Sequence, residues 1–239
     1  MAAEREIRVL ATKEDLFRNA AEEFAAQALA AVKTRGKFTV ALSGGSTPKG
    51  MYGLLAGSAY ASLPWKQIFF FWGDERHVPP GHSDSNYRMV NEVLLSKIPL
   101  PPENIFRIMA EKDADDAARE YEQTLLKFFN LGPGQFPRFD LVLLGIGTEG
   151  HIASLFPDSS ALLEKNRLVV PNWVEKLKTH RITLTLPVLN HAACVTFLIG
   201  GKDKAEIVRE VLNGVKVPAA LVRPDDGRLL WLLDRDAAG

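Results

Sequence analysis

The chain has 239 residues, of which 46% are hydrophobic and 24% charged, a composition that suits one globular domain spanning residues 1–239. Lys plus Arg and Asp plus Glu both number 29, so the formal net charge is zero. Nucleic-acid and acidic-membrane partners require clustered positive charge, and we expect neither. The only cysteine, Cys194, excludes an internal disulfide and lies in an apolar run, where we interpret it as a core residue. We find no secretory signal and no apolar segment long enough to span a membrane, so we expect a cytoplasmic protein.

Apolar runs of strand length alternate with amphipathic segments of helix length. Apolar residues recur every four positions from Leu16 to Ala28, which predicts a helix that ends at Gly36. Further helices are predicted after a turn at Pro48, at 86–96 and at 113–130, and strands at 38–42, 68–72, 139–144, 181–186, 195–199 and 229–233. Buried strands separated by helices indicate an α/β fold with a mainly parallel twisted sheet and helices on both faces. We therefore expect a single-domain, three-layer, modified Rossmann-like architecture.

Four of the predicted strands end in glycine or serine and turn directly into a polar segment. The four segments are residues 43–47, 73–76, 145–151 and 200–202. In an open parallel sheet, ligands bind beyond the carboxyl ends of the strands. We therefore expect these segments to converge on one ligand-binding crevice.

The first segment, Ser43 to Pro48, joins a strand to a helix. Glycine backbone N–H groups, hydroxyl donors and a helix N-terminus together favour a phosphate site. A tight turn with a Ser or Thr helix cap remains the alternative. The run also resembles the nucleophile elbow of serine hydrolases. Such enzymes need part of the sheet and an oxyanion loop before the elbow, whereas this run follows the first predicted strand and leaves little room for them.

The third segment contains Gly145, Gly147 and Gly150 in the spacing of a dinucleotide-binding fingerprint. Pro157 cuts short the helix that should receive a pyrophosphate, so we interpret the glycines as a tight loop that presents His151. With an ordinary pKa near 6.5, this histidine suits a general base at neutral pH. His77 and His82, together with Asp74 and Glu75, could suggest metal ligands. Their flexible Pro- and Gly-bearing spacing lacks the helical geometry of a built metal site, and we predict no metal there.

Charged residues at the strand ends provide candidate ligands for an anion. Arg76 could bind a phosphate and Asp74 a sugar hydroxyl, although a pair between these two side chains that braces the loop is an equally good interpretation. Arg181 and Lys202 are candidates of the same kind. The residues alone thus predict an α/β enzyme that acts on a small phosphorylated, hydroxylated substrate by histidine-assisted proton transfer.

Taken together, the segments resemble the 6-phosphogluconolactonase family, within the wider glucosamine-6-phosphate isomerase/6-phosphogluconolactonase superfamily. The resemblance covers nearly the whole chain and rests on ordered motifs at residues 43–48, 72–79, 83–87, 150–157, 181–185 and 200–205. It implies hydrolysis of 6-phospho-D-glucono-1,5-lactone to 6-phosphogluconate, the second step of the oxidative pentose phosphate pathway. It also implies neither a metal nor an organic cofactor, and a phosphosugar lactone as the small-molecule partner.

The resemblance further implies a role for each matching residue. His151 would activate water for attack on the lactone carbonyl, and Asp74 would orient the substrate or His151. The remaining substrate-binding positions would be Gly44, Gly45, Ser46, Thr47, Arg76, Ser85, Asn86, Arg181 and Lys202. The chain departs from the family pattern at Glu149, where an Asp is usual two residues before the histidine.

Two other functions remain as alternatives. Glucosamine-6-phosphate deaminases resemble this chain, but they carry a Glu at the position of Phe156 and a Tyr at that of Arg76. Both differences favour the lactonase. A catalytically silent phosphosugar sensor would keep the phosphate loop and lose the base, and the presence of His151 argues against it.

Overall fold

The computed structural model describes residues 4–239, so the first three residues of the expected 1–239 domain lie outside the described residues. The strands are β1 (Arg5–Leu10), β2 (Phe38–Leu42), β3 (Ile68–Trp72), β4 (Asp74–Arg76), β5 (Ile105–Phe106), β6 (Leu141–Leu144), β7 (Val169–Val174), β8 (Thr179–Leu184), β9 (Cys194–Ile199) and β10 (Arg228–Asp234). The helices are α1 (Lys13–Arg35), α2 (Ser46–Leu55), α3 (Asn86–Val93), α4 (Ala114–Phe129), α5 (Leu186–Asn190), α6 (Ala205–Leu212) and α7 (Arg235–Ala238). Within this described part of the chain, no helix is both long and apolar enough to cross a membrane.

Seven strands form one parallel sheet in the order β1-β10-β9-β6-β2-β3-β5. The central strands β2, β6 and β9 are buried along their whole length, which explains their continuous apolar sequences. The prediction of an α/β fold with a mainly parallel sheet is confirmed.

Aromatic side chains show how helices cover both faces of this sheet. Phe70 and Phe71 are successive residues of β3, so their side chains point to opposite faces. On the first face, the Trp65 ring stacks 6.5 Å from Phe70 and also lies 6.4 Å from Phe24 of α1. On the second face, Phe71 lies 5.0 Å from Phe128 of α4. Helix α1 therefore covers one face and α4 the other, as expected for a three-layer arrangement.

A second, three-stranded antiparallel sheet, in the order β4-β8-β7, was not predicted from the sequence. The run 181–186, grouped with the parallel strands, belongs to β8 of this small sheet and ends at Leu184. Residues 74–76, assigned to a loop, form β4 because they pair with β8. The short apolar run before Pro171 continues through it as β7, which is an edge strand and can accommodate a proline.

Two strands of the large sheet, β1 and β5, were also not predicted from the sequence. Strand β1 lies at the edge of the sheet and pairs only with β10. Its exposed residues are Ile7 and Val9, whereas Glu6 and Arg8 are half-buried and form an ion pair. This mixture of charged and apolar residues has no simple apolar pattern. Strand β5 has two residues, too few for a periodic pattern. Because β1 precedes it, the run before Ser43 is the second strand of the chain and not the first strand that was predicted.

Candidate active site

The four polar segments follow β2, β3, β6 and β9, which are neighbours in the centre of the large sheet. Their carboxyl ends meet as predicted, and all four segments contribute to the wall of one cavity of about 280 Å³. A second cavity of about 190 Å³ adjoins it, and Asp74, Arg76 and His151 line both. These three side chains therefore lie where the two cavities meet.

The loop from Gly44 to Thr47 brings a helix N-terminus to the first cavity. Gly45 has a φ of +105° and immediately precedes α2, with no side chain capping the helix. A Cβ on Gly44 would lie 2.0 Å from Oδ1 of Asn86, so only glycine allows these two segments to approach so closely. Because the N–H groups of the first helical turn have no acceptor within the helix, the loop is suited to bind an anion.

His151 is presented by a tight glycine loop. The Gly147 N–H donates to the His151 carbonyl at 2.9 Å, and a Cβ on Gly147 would lie 2.0 Å from Nδ1 of the imidazole. Gly150 has a φ of +82°, and a Cβ there would lie 2.6 Å from Val217. Glycine at 147 and 150 is therefore required by the space around the ring and by the backbone conformation, which supports the interpretation of a loop built to hold His151.

The surroundings of His151 favour the neutral imidazole. Burial lowers the pKa of His151, and the nearby Glu149 carboxylate opposes this effect only in part. Oε2 of Glu149 lies 3.2 Å from Nδ1, and the Phe156 ring stacks on the imidazole with centroids 4.3 Å apart. Nδ1 itself is fully buried, whereas the side chain as a whole is 28% exposed. The accessible nitrogen is thus Nε2, which can accept a proton at neutral pH.

Asp74 as a residue is only 6% exposed, although it lines both cavities. Its Oδ2 accepts a hydrogen bond of 2.6 Å from the Ser154 hydroxyl. Among residues 4–239 no ion pair joins Asp74 to Arg76, whose guanidinium donates to the Asp84 carbonyl at 3.0 Å. Of the two interpretations left open by the sequence, the arrangement therefore favours a carboxylate directed at the site over one that braces the loop.

Arg76 and Arg181 face each other across the small sheet as register partners in β4 and β8. Burial, and then the positive charge of Arg76, lower the pKa of Arg181. In the described part of the chain, neither guanidinium lies within 4.0 Å of a carboxylate. Like charges directly opposite each other destabilise an antiparallel pair, so this pair of arginines favours an anionic ligand.

Asn86 and Ser85 occupy different positions relative to the cavity. Asn86 lines it and donates from Nδ2 to the Asp74 carbonyl at 3.0 Å. Ser85 is buried behind it, caps α3 and donates to Oε2 of Glu75 at 3.1 Å. Burial raises the pKa of Glu75, while backbone N–H groups of Tyr87, Asn86 and Arg76 oppose the rise. Glu75 and Ser85 thus hold the start of α3 and, through it, the Asn86 side chain.

The lysine that lines the cavity is Lys204, whereas the sequence analysis named Lys202. Lys202 is exposed, Lys204 is half-buried, and Lys202–Lys204 form one turn of 3₁₀ helix after Gly201. This single turn sets the direction of each side chain, and no local signal in the sequence separates the two lysines. Lys202 stays a prediction, and Lys204 joins the candidate residues.

The structure also bears on the histidines and the cysteine outside the site. Nε2 of His77 lies 2.8 Å from the Lys112 carbonyl, and Nδ1 of His82 lies 3.9 Å from Asp84. In residues 4–239 no cluster of three or more His, Cys, Asp or Glu side chains could hold a metal ion. Cys194 is buried, and its burial raises the pKa of the thiol, which agrees with its interpretation as a core residue.

Comparisons with known proteins agree on one family. Residues 11–231 match the model of the glucosamine-6-phosphate isomerases/6-phosphogluconolactonase family. A 6-phosphogluconolactonase of Nostoc is 42% identical over 212 residues, covering 87% of this chain and 86% of the relative. The solved structure of the 6-phosphogluconolactonase from Trypanosoma cruzi superposes with a TM-score of 0.89 at 30% identity, covering 100% of this chain and 97% of the other. A monomeric glucosamine-6-phosphate deaminase has the same fold, with a TM-score of 0.81, 25% identity and 98% coverage of both chains.

Proposed function

Since the chain belongs to the glucosamine-6-phosphate isomerase/6-phosphogluconolactonase family, we propose that it hydrolyses 6-phospho-D-glucono-1,5-lactone to 6-phospho-D-gluconate. This is an ester hydrolysis in carbohydrate metabolism, the second step of the oxidative pentose phosphate pathway. The observation that carries the proposal is a neutral His151 between a helix N-terminus and two arginines without a carboxylate partner. Such a site combines a base with two kinds of phosphate ligand, as a phosphosugar lactone requires.

His151 acts as the general base in this proposal. Nε2 removes a proton from a water molecule, and the oxygen of that water adds to the lactone carbonyl carbon C1. The tetrahedral intermediate then collapses as the bond from C1 to the ring oxygen breaks. The proton on Nε2 passes to this oxygen, so that the histidine returns to its neutral form and the product carries a free hydroxyl. The carboxylic acid formed at C1 releases the second proton of the water to solvent and becomes a carboxylate. The negative charge of Glu149, 3.2 Å from Nδ1, favours a proton on that nitrogen and so leaves the Nε2 lone pair free.

The substrate is held by its phosphate and its hydroxyl groups. Arg76 and Arg181 form the cationic pair, and the loop formed by Gly44, Gly45, Ser46 and Thr47 offers backbone N–H groups and hydroxyls. Asp74 orients the substrate by accepting a hydrogen bond from a sugar hydroxyl, and Asn86 lies beside it. Ser85 contributes by holding α3. Positive charge is added by Lys204, which lines the first cavity, or by Lys202. Binding energy from the phosphate positions C1 for attack, so loss of this group lowers turnover as well as affinity.

The apolar contact of Phe156 with His151 distinguishes the lactonase from the deaminase alternative. A ring that stacks on the imidazole at 4.3 Å buries it and supplies no acidic group. A carboxylate at that position, as in the deaminases, would favour the charged imidazolium instead. A base for water activation has to be neutral, which supports hydrolysis.

Two assays run in parallel test this function. Freshly generated 6-phosphogluconolactone is followed with a pH indicator against its spontaneous hydrolysis, and glucosamine 6-phosphate is followed by ammonia release. We expect rapid lactone hydrolysis and no deamination. Deamination without lactone hydrolysis would overturn the proposal, and absence of both activities would favour the phosphosugar sensor.

The phosphate contact is tested with Arg181→Met. We expect the KM for the phosphorylated lactone to rise about tenfold or more, because a charge-assisted contact is lost, with a smaller effect on unphosphorylated glucono-1,5-lactone. Arg119→Met, which removes an exposed arginine of α4, is the matched control. Equal effects of Arg181→Met on both lactones would show that this arginine does not bind the phosphate.

We also propose a cytoplasmic location and a single domain. A free, buried thiol at Cys194 is compatible with a reducing compartment. Cell fractionation with an antibody to this chain tests the location, and recovery in an oxidising or membrane-bounded compartment would contradict it.

A further inference from the structure

Ser154 lies where all three strands of the small sheet meet the loop that carries His151. Its hydroxyl donates to Oδ2 of Asp74 in β4 at 2.6 Å. Its backbone N–H donates to the Thr183 hydroxyl in β8 at 3.2 Å, and its carbonyl accepts from Nδ2 of Asn172 in β7 at 2.8 Å. Ser154 is 2% exposed, and Asn172 and Thr183 are equally buried. Every hydrogen-bonding group of this serine is therefore engaged, and its position is fixed from three sides.

The backbone around Ser154 adds to this fixation. Ala153, immediately before it, has a φ of +44°, an uncommon conformation for a residue with a side chain. Ile152 and Leu155 form an isolated antiparallel bridge across it. The turn thus aims the Ser154 hydroxyl into the interior, toward the strand that carries Asp74.

This hydrogen bond leaves the two oxygens of Asp74 in different situations. Oδ2 is occupied by Ser154, whereas Oδ1 accepts no hydrogen bond from any residue between 4 and 239. Asp74 borders both cavities, so Oδ1 is the oxygen available to a ligand. A carboxylate with one oxygen held is restricted in its rotation and presents a single acceptor in a defined direction.

We propose that Ser154 is a positioning residue, whose hydroxyl holds the Asp74 carboxylate so that Oδ1 faces a hydroxyl of the bound sugar lactone. The inference rests on the proposed lactonase function, which it extends by one residue. It also assigns a purpose to the small antiparallel sheet. Strands β4, β7 and β8 together hold Ser154 against the Asp74 carboxylate. The same sheet carries Arg76 in β4 and Arg181 in β8.

The test is a double-mutant cycle between Ser154 and Asp74. Ser154→Ala removes the hydroxyl, Ser154→Thr retains it, and each change is made both in the natural chain and in the Asp74→Asn background. Lactone kcat and KM and the thermal midpoint are measured for every variant. Thr196→Val is the matched control, because it deletes an equally buried hydroxyl in β9 that contacts the Cys194 sulfur at 3.6 Å.

In the natural background we expect Ser154→Ala to lower lactone kcat/KM about tenfold or more, the range for a hydrogen bond to a charged group. Ser154→Thr should recover most of this loss, and Thr196→Val should leave kcat/KM unchanged. In the Asp74→Asn background, Ser154→Ala should lower kcat/KM by less than threefold, because the hydrogen bond that it removes is already impaired. The thermal midpoints should be non-additive in the same way.

A second full tenfold loss in the Asp74→Asn background would show that Ser154 acts independently of Asp74 and would overturn the proposal. Unchanged kcat/KM in folded Ser154→Ala would overturn it as well. Failure of the proposed function is a separate result, since a chain without lactonase activity shows none in any variant. The thermal midpoints still test the contact in that case. If the shifts caused by Ser154→Ala and Asp74→Asn add up in the double variant, the two residues are not coupled.

Discussion

Replacement of Gly147 by alanine should abolish most of the activity while leaving the fold intact. The new Cβ would lie 2.0 Å from Nδ1 of His151 and 2.2 Å from Cε1. To restore an ordinary contact of 3.4 Å, the imidazole has to retreat by about 1.4 Å. A displacement of about 1 Å at a catalytic group can cost about a hundredfold in rate, so we expect kcat for the lactone to fall by about that factor. Gly147 does not have a positive φ, and alanine is therefore compatible with the backbone.

The measurement is steady-state hydrolysis of fresh 6-phosphogluconolactone by Gly147→Ala, with circular dichroism and a thermal midpoint as checks of folding. Gly53→Ala is the control, because a Cβ at this position of α2 meets nothing within 4 Å. It should keep full activity and gain about 0.4–1 kcal/mol of stability through the less flexible unfolded chain. A folded Gly147→Ala variant with the natural kcat would show that the position of the imidazole does not limit the reaction.

Further predictions concern pH, stability and metal ions. Because burial lowers the pKa of His151, the acidic limb of kcat/KM should have its midpoint below the ordinary value of 6.5, and a midpoint above it would contradict the neutral base. Glu149→Gln removes an anion that favours the imidazolium, so it should move the acidic limb to lower pH. Phe156→Ala exposes the imidazole to water, so it should move the limb to higher pH. Shifts of both variants in the same direction would contradict these roles of Glu149 and Phe156. Burial alone would raise the pKa of Glu23, but hydrogen bonds from Arg228 and a second arginine outweigh it and lower the pKa below 4.5. The resulting stabilisation is present above pH 4.5 and lost as the pH falls, so Glu23→Gln should cost about 1–2 kcal/mol at pH 7 in urea unfolding and progressively less in acid. Dialysis against EDTA should leave lactone hydrolysis unchanged, and a loss reversed by a divalent cation would contradict a mechanism based on His151 alone.

The central layer of the fold was predictable because its strands are buried on both faces. Continuous apolar runs such as 38–42 and 68–72 have the same bounds in the structure as in the prediction. Helix α1 ends at the expected Gly36, which adopts the left-handed conformation typical of a helix end. The edge strand β1 and the small sheet were missed for other reasons. Strand β1 mixes charged and apolar residues, β4 consists of three charged residues, and Pro171 interrupts the apolar run of β7. The run 181–186 was predicted as a strand, but its antiparallel pairing depends on residues distant in the sequence.

The convergence of the candidate site was predictable, whereas its contacts were not. Glycine-rich segments at strand ends identify the crevice by topology alone, and His151 lies in it as expected. The contact of Ser154 with Asp74 joins residues 80 positions apart, and no local pattern encodes such a pair. Lys204 was missed in favour of Lys202 because the direction of a side chain depends on a single turn of 3₁₀ helix. The usual Asp is replaced by Glu149, and its carboxylate still lies 3.2 Å from the imidazole.

The central claim is that His151 is the base of a lactone hydrolysis. The most direct test compares the natural chain with His151→Ala in the hydrolysis of freshly generated 6-phosphogluconolactone, corrected for the spontaneous rate, with circular dichroism to confirm the fold of the variant. General-base catalysis contributes about 10²–10⁴-fold, so the account predicts a loss of kcat within that range in a folded variant. Hydrolysis that survives the substitution at the natural rate would retain the lactonase and reject His151 as its base.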